Sequence, residues 1–168
     1  MTRIPTGQLF AAGDGGDLVV TRTFRASAED VWASLTEPER TARWFGPWEG
    51  EAAPGGTIRV QMAFEEGTPW SDVRIDVCEP PRRLALSMRD ESGDWRMELL
   101  LTERGDRTEL RFVHHLDDVG GVGEIGPGWE YYLDRLLADR EDTPMPSFDD
   151  YYPAMKAHYE GLLLADRA

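Results

Sequence analysis

Between Ile58 and His114, apolar side chains return at every second position in five separate runs. Ile58, Val60, Met62 and Phe64 alternate with Arg59, Gln61 and Ala63, and Val73, Ile75 and Val77 alternate with Asp72, Arg74 and Asp76. Leu84, Leu86 and Met88 repeat the pattern, followed by Trp95, Met97, Leu99 and Leu101, then by Leu110, Phe112 and His114. A period of two sends successive side chains to opposite faces of a strand, so these runs predict a meander of hairpins with one apolar and one polar face. Turn residues sit between the runs: Glu65-Glu66-Gly67-Thr68-Pro69, Asp90-Glu91-Ser92-Gly93-Asp94 and Arg104-Gly105-Asp106. Glu79-Pro80-Pro81 also interrupts the ladder, because proline has no amide to donate. The outward positions Arg59, Gln61, Arg74, Asp76, Arg96, Glu98, Glu109 and Arg111 mix both signs. Cross-strand pairs of that kind contribute about 0.2 to 1 kcal/mol each and read as a solvated face.

A sheet with one apolar face needs a cover. The stretch from Gly123 to Ala138 supplies it: on a helical wheel Trp129, Tyr132, Leu133, Leu136 and Leu137 share one side, and Glu130, Asp134, Arg135 and Asp139 the other. Gly120-Gly121-Val122-Gly123 ahead of it reads as a flexible access loop. Asp117, Asp118 and Glu124 surround those glycines and no lysine follows, which argues against phosphate binding there.

Upstream of the sheet, residues 1–17 read as a loose arm, and Leu18 to Arg25 as a strand on which Leu18, Val20 and Phe24 share a face with Arg22. Ser27 with Glu29 and Asp30 predicts a helix start, and Val31, Trp32 and Leu35 give that helix its apolar side. Thr36 and Glu39 have capping-box spacing around Pro38, so a second short helix is expected to run to about Trp44. Beyond residue 141, Asp142-Thr143-Pro144-Met145-Pro146 breaks the chain. Pro153 then opens a tail helix with Met155, Tyr159, Leu162 and Leu163 on one stripe. That stripe suits ordinary packing on the body first, with a lid or a homodimer contact as the alternative. The organisation expected is an arm over 1–17, one domain over 18–141 and a helical extension over 142–168.

A net charge of −14 repels phosphate backbones and anionic lipid alike, so neither nucleic acid nor membrane is an expected partner. Cys78 is the one cysteine, which leaves no internal disulfide, and the first residues lack a signal-peptide layout, so a cytoplasmic location is expected. No run of metal-ligand spacing and no nucleophile motif is present, and no cofactor is expected. His114 and His115 are neighbours on a strand and face opposite ways, so they do not make a metal pair.

The ordered motifs Thr21-Arg22-Thr23-Phe24-Arg25-Ala26, Val31-Trp32, Leu35-Thr36-Glu37-Pro38, Arg43-Trp44-Phe45-Gly46, Gly55-Gly56, Glu79-Pro80-Pro81-Arg82-Arg83-Leu84 and Gly128-Trp129 with Leu133 and Leu136 resemble a known family. They are similar to the bacterial, stand-alone members of the Hsp90 ATPase activator homologue family, within the START/Bet v 1-like (SRPBCC) superfamily. The resemblance covers roughly Leu18 to Ala138 and implies an α+β helix-grip fold. In that fold an antiparallel sheet wraps a long C-terminal helix, with two short helices after the first strand, here followed by an extra C-terminal helix. Glu65-Glu66-Gly67-Thr68-Pro69-Trp70 departs from the family pattern, which has an aspartate-glycine pair there.

The resemblance further implies a cavity between sheet and long helix for a small apolar molecule such as a lipid, a sterol or a polyketide-like ring. Projected on that fold, Met62, Phe64, Ile75, Leu86, Met88, Trp95, Met97, Phe112, Trp129 and Leu133 line the space, while Arg22, Trp48, His114 and Tyr132 offer polar groups to orient a ligand. The same side chains would equally serve to fill the interior, and the sequence leaves both readings open. His114 is the residue on which a cyclase-like or hydratase-like activity would turn. Contact with an Hsp90-type chaperone ranks last, because the eukaryotic activator uses more than this one domain.

Overall fold

The computed structural model describes residues 4–90 and 93–167, so the first three residues of the arm and Glu91 and Ser92 of the expected 90–94 turn lie outside the described residues. Among the described residues, eight strands occur in the order β1 (Gln8–Ala12), β2 (Gly15–Phe24), β3 (Trp48–Glu49), β4 (Thr57–Gln61), β5 (Trp70–Glu79), β6 (Arg83–Asp90), β7 (Gly93–Arg104) and β8 (Arg107–Leu116). Two short helices, α1 (Ala28–Thr36) and α2 (Pro38–Trp44), follow β2, and α3 (Val122–Glu141) and α4 (Lys156–Arg167) close the chain. The strands form an antiparallel sheet in the order β1-β2-β8-β7-β6-β5-β4-β3, the α+β helix-grip arrangement. No described helix is long and apolar enough to cross a membrane. The chain divides into two compact units, Arg22–Phe112 and Met1–Thr21 with Val113–Ala168.

In the unit Arg22–Phe112, the sheet register follows the apolar alternation. Ile75 pairs with Leu86 and Leu86 with Met97, Leu84 pairs with Leu99, and Met88 pairs with Trp95. A bulge between Ile75 and Val77 restarts the β5 register as Val77↔Ala85 and Cys78↔Leu84. Val77 was expected beside Val73 and Ile75; the extra residue instead sends Cys78 to that face. The run expected from Ile58 to Phe64 also stops early. β4 ends at Gln61, and the amides of Glu65 and Thr68 donate to the carbonyls of Met62 and Glu65 at 3.1 and 3.0 Å, so Met62 and Phe64 belong to a turn. On the polar face Arg83 pairs with Glu98 at 3.1 Å, and Arg59 pairs with Glu49 at 3.2 Å while lying over the Trp70 ring.

The two short helices are tied down by hydrogen bonds that satisfy their ends. Ser27 caps α1 by accepting from the Asp30 amide at 3.2 Å, and the Ala28 amide donates to Glu103 of β7 at 2.9 Å. At the other end, the last carbonyls of a helix have no partner within it. Trp44 and Trp48 supply partners: their indole N–H groups donate to the Ser34 and Thr36 carbonyls at 2.9 and 2.8 Å. The expected capping box does not form. The Thr36 hydroxyl donates back to the Trp32 carbonyl at 2.8 Å, and Glu37 takes the N-cap position of α2 without a side-chain bond.

The other unit departs further from expectation. The arm is not loose: β1 pairs with β2 from Gln8↔Val19 to Ala12↔Gly15, around a tight turn in which Gly13 has φ 65°. The glycines expected as an access loop form a 3-10 turn, Val119–Gly121, and the first turns of α3, which runs through Gly126, Pro127 and Gly128. The tail helix begins at Lys156, three residues after Pro153, and the stripe of Tyr151, Met155 and Tyr159 is fully enclosed. These three pack with Leu9, Leu18, Leu116, Val119 and Val122 as one core cluster.

Glu130 and Arg135 were expected on the solvent side of the long helix, yet they are 0 % and 7 % exposed. The reason is the traffic on α3: α4, the 151–155 turn and the arm all dock there. The Tyr151 hydroxyl donates to Asp134 at 2.7 Å, and Lys156 pairs with Glu124 at 3.1 Å. The hydrogen bond to Glu124 raises the Lys156 pKa above its ordinary 10.5, although at so exposed a position the pair adds little stability. Close approach is what the glycines permit. A Cβ built on Gly126 would lie 2.5 Å from Cε1 of Tyr159, and one on Gly7 would collide with the Tyr159 hydroxyl.

Gly126→Ala is therefore expected to destabilise the protein by about 1–3 kcal/mol, the range for forcing extra volume into a packed site, despite the better helix propensity of alanine. A lowered urea midpoint with an unchanged slope is the expected measurement, and Gly128→Ala, where nothing lies within 4 Å, serves as the control.

Candidate functional site

Alternation on β8 carries His114 to the same face as Leu110 and Phe112, and it is 2 % exposed. Trp129, at the start of the third turn of α3, donates its indole N–H to His114 Nδ1 at 3.1 Å, with the two rings edge to face at 6.0 Å. An indole nitrogen is a donor only, so Nδ1 acts as the acceptor and the imidazole proton resides on Nε2. In this state His114 is neutral and presents an N–H rather than a free basic nitrogen. Tyr132 continues the aromatic run from Trp129 at 6.2 Å, and Leu133 beside it is 1 % exposed. His115 points the other way, as the strand period requires, and its Nδ1 lies 2.7 Å from Asp17 Oδ1. His158 sits on α4 against the Gly7 carbonyl at 3.2 Å.

The remaining candidates lie in the unit Arg22–Phe112. Ile75, Leu86 and Met97 form one cross-strand row; Ile75 and Met97 are buried, at 3 % and 7 % exposed, and Leu86 is half-buried. Met88 and Trp95 stand directly opposite one another, both half-buried. Phe112 is 3 % exposed, and Arg22 is half-buried. Met62 is half-buried in the turn after β4, and Phe64 is 41 % exposed there rather than set in a strand wall. Trp48 spends its one polar hydrogen on the end of α1, which removes it from the groups able to orient a ligand. Cys78 enters the apolar face through the bulge, a position that the alternation of the sequence assigned to Val77.

Among the described residues no three His, Cys, Asp or Glu side chains are grouped to hold a metal ion, and no buried side-chain nitrogen or oxygen lacks a hydrogen-bond partner. Within each unit the candidate residues are mostly apolar and aromatic, with a few fixed polar groups. Such surface recognises shape and apolar area rather than charge.

Sheet order and the two pairs of helices define an α+β helix-grip protein. The family model described as Activator of Hsp90 ATPase homolog 1-like protein matches residues 25–138, and the chain belongs to that family. No curated protein sequence matches it. Among solved structures, the crystal structure of CalU16 from Micromonospora echinospora is similar at 26 % identity and a TM-score of 0.76, over 95 % of this chain and 97 % of that one. DynU16, from the dynemicin biosynthetic locus, shares the fold at 23 % identity and a TM-score of 0.67, over 79 % of this chain and 50 % of that one. EF2215 of Enterococcus faecalis does so at 18 % identity and a TM-score of 0.76, over 95 % of this chain and 91 % of that one.

Trp129→Phe keeps most of the ring volume and removes the donor to His114. It is expected to cost about 1–3 kcal/mol, the penalty for a buried acceptor left without its donor. In a double-mutant cycle with His114→Ala, measured by urea unfolding, the two losses are expected to be less than additive.

Proposed function

We propose that this protein binds a small, largely apolar molecule. The observation that carries the reading is the Met88–Trp95 pair. Two large apolar side chains stand opposite each other on the apolar face of β6 and β7 and remain half-buried, next to a row whose members Ile75 and Met97 are almost fully enclosed. A thioether and an indole make an adaptable surface that fits varied apolar shapes. Burying ligand area there contributes about 25 cal/mol per Å² before the ordering costs of association. Membership in the family and the helix-grip fold support the same reading. A catalytic reading with a base turns on His114, and its Nδ1 lone pair, the basic site of the neutral ring, is engaged by the Trp129 indole. We therefore carry binding rather than turnover.

Native mass spectrometry of the protein purified from its own host, followed by denaturing analysis, is expected to release a small molecule at defined stoichiometry. Met88→Glu places a charge on the apolar face and is expected to weaken binding of an anilinonaphthalene sulfonate probe by at least about tenfold, with the far-ultraviolet circular dichroism unchanged. A wild-type protein that is empty and also fails to bind the probe overturns the proposal. His114→Ala is expected to leave probe binding within a few-fold of wild type.

A further inference from the structure

Glu130 joins three stretches of chain through one enclosed carboxylate. Its Oε1 accepts from the Thr6 amide at 2.8 Å and from the Thr6 hydroxyl at 2.6 Å, and its Oε2 accepts from the Tyr159 hydroxyl at 2.5 Å. Thr6 belongs to the arm, Tyr159 to α4 and Glu130 to α3. The arm also meets α4 directly: the Tyr159 ring fills the space left by the missing side chains of Gly7 and Gly126, His158 lies against the Gly7 carbonyl at 3.2 Å, and Leu9 shares the core cluster with Met155 and Tyr159.

We infer that the amino-terminal arm and α4 form a single latch on α3, seated and released together, with Glu130 as its common anchor. The physical basis is a shared acceptor. Hydrogen bonds to an ionised group are stronger than those between neutral groups, and an enclosed carboxylate stripped of donors is costly. If the arm leaves, Oε1 loses two donors at once, and the slot that holds the Tyr159 ring loses its Gly7 wall. If α4 leaves, Oε2 loses its donor, and the core cluster that holds Leu9 loses Tyr159. Either departure opens the enclosed carboxylate to water, which replaces the missing donors, and removes packing from the other segment, so each lowers the cost of the other, the condition under which two segments open as one cooperative unit. The latch also bears on the candidate site, because Trp129 packs against the same cluster and its indole fixes His114. Unseating it frees the ring that sets the histidine tautomer.

Hydrogen-exchange mass spectrometry of the full chain tests the inference. Tyr159→Phe changes only α4, and Thr6→Val, at the exposed end of the network, changes only the arm. Each is expected to speed exchange about tenfold in both residues 4–12 and residues 156–163, while β6 and β7 stay unchanged. Acceleration confined to the mutated segment overturns the latch, as does no acceleration in either segment. If Tyr159→Phe does not fold, Thr6→Val alone decides, through whether α4 responds.

Discussion

The polar groups that α3 turns toward the covering segments have to be answered, and several of the answers come from far along the chain. Glu130 is met by Thr6 and Tyr159, Asp134 by Tyr151, and the Trp129 indole by His114. An enclosed carboxylate without donors costs more than a domain of marginal stability can absorb. The arm, the 151–155 turn and α4 are therefore held where they are by hydrogen-bond demand as much as by apolar area. The glycines of α3 then set how near they come.

Much of the sheet was legible because a period of two is a strong signal when one face is apolar. The runs around Leu84, Trp95 and Leu110 became β6, β7 and β8, and Ser27 capped α1 as its spacing required. What escaped notice shares a cause: a local signal was outvoted by a distant partner. Gly13-Asp14 between short apolar runs is a hairpin signal, yet a run as brief as Gln8–Ala12 becomes a strand only because β2 is there to pair with it. Gly120 to Gly128 looks like loop composition. It folds as the start of a helix, since its missing side chains make room for Tyr159 and Lys156. Glu130 and Arg135 fall on the charged side of the wheel and are enclosed all the same, because the covering segments are not written into the periodicity of α3.

The candidate site was legible to a similar degree. The inward rows through Ile75, Leu86 and Met97 follow from alternation alone, and so does the inward setting of His114. The bulge that brings in Cys78, the turn that takes Phe64 out of the wall and the hydrogen bond that occupies Trp48 depend on neighbours that a period cannot show. The chemistry of His114 is of the same kind: a histidine in a sequence has two usable nitrogens, and only its partner decides which one carries the proton.

The slot around Tyr159 has an evolutionary meaning as well as a mechanical one. Its walls are the backbones of Gly7 and Gly126, one from the beginning of the chain and one from the long helix, and neither has room for a single further carbon. Positions 7, 126 and 159 thus share one fixed volume. A lineage can enlarge position 7 or 126 only by trimming position 159, so three residues remote in sequence are tied to one another.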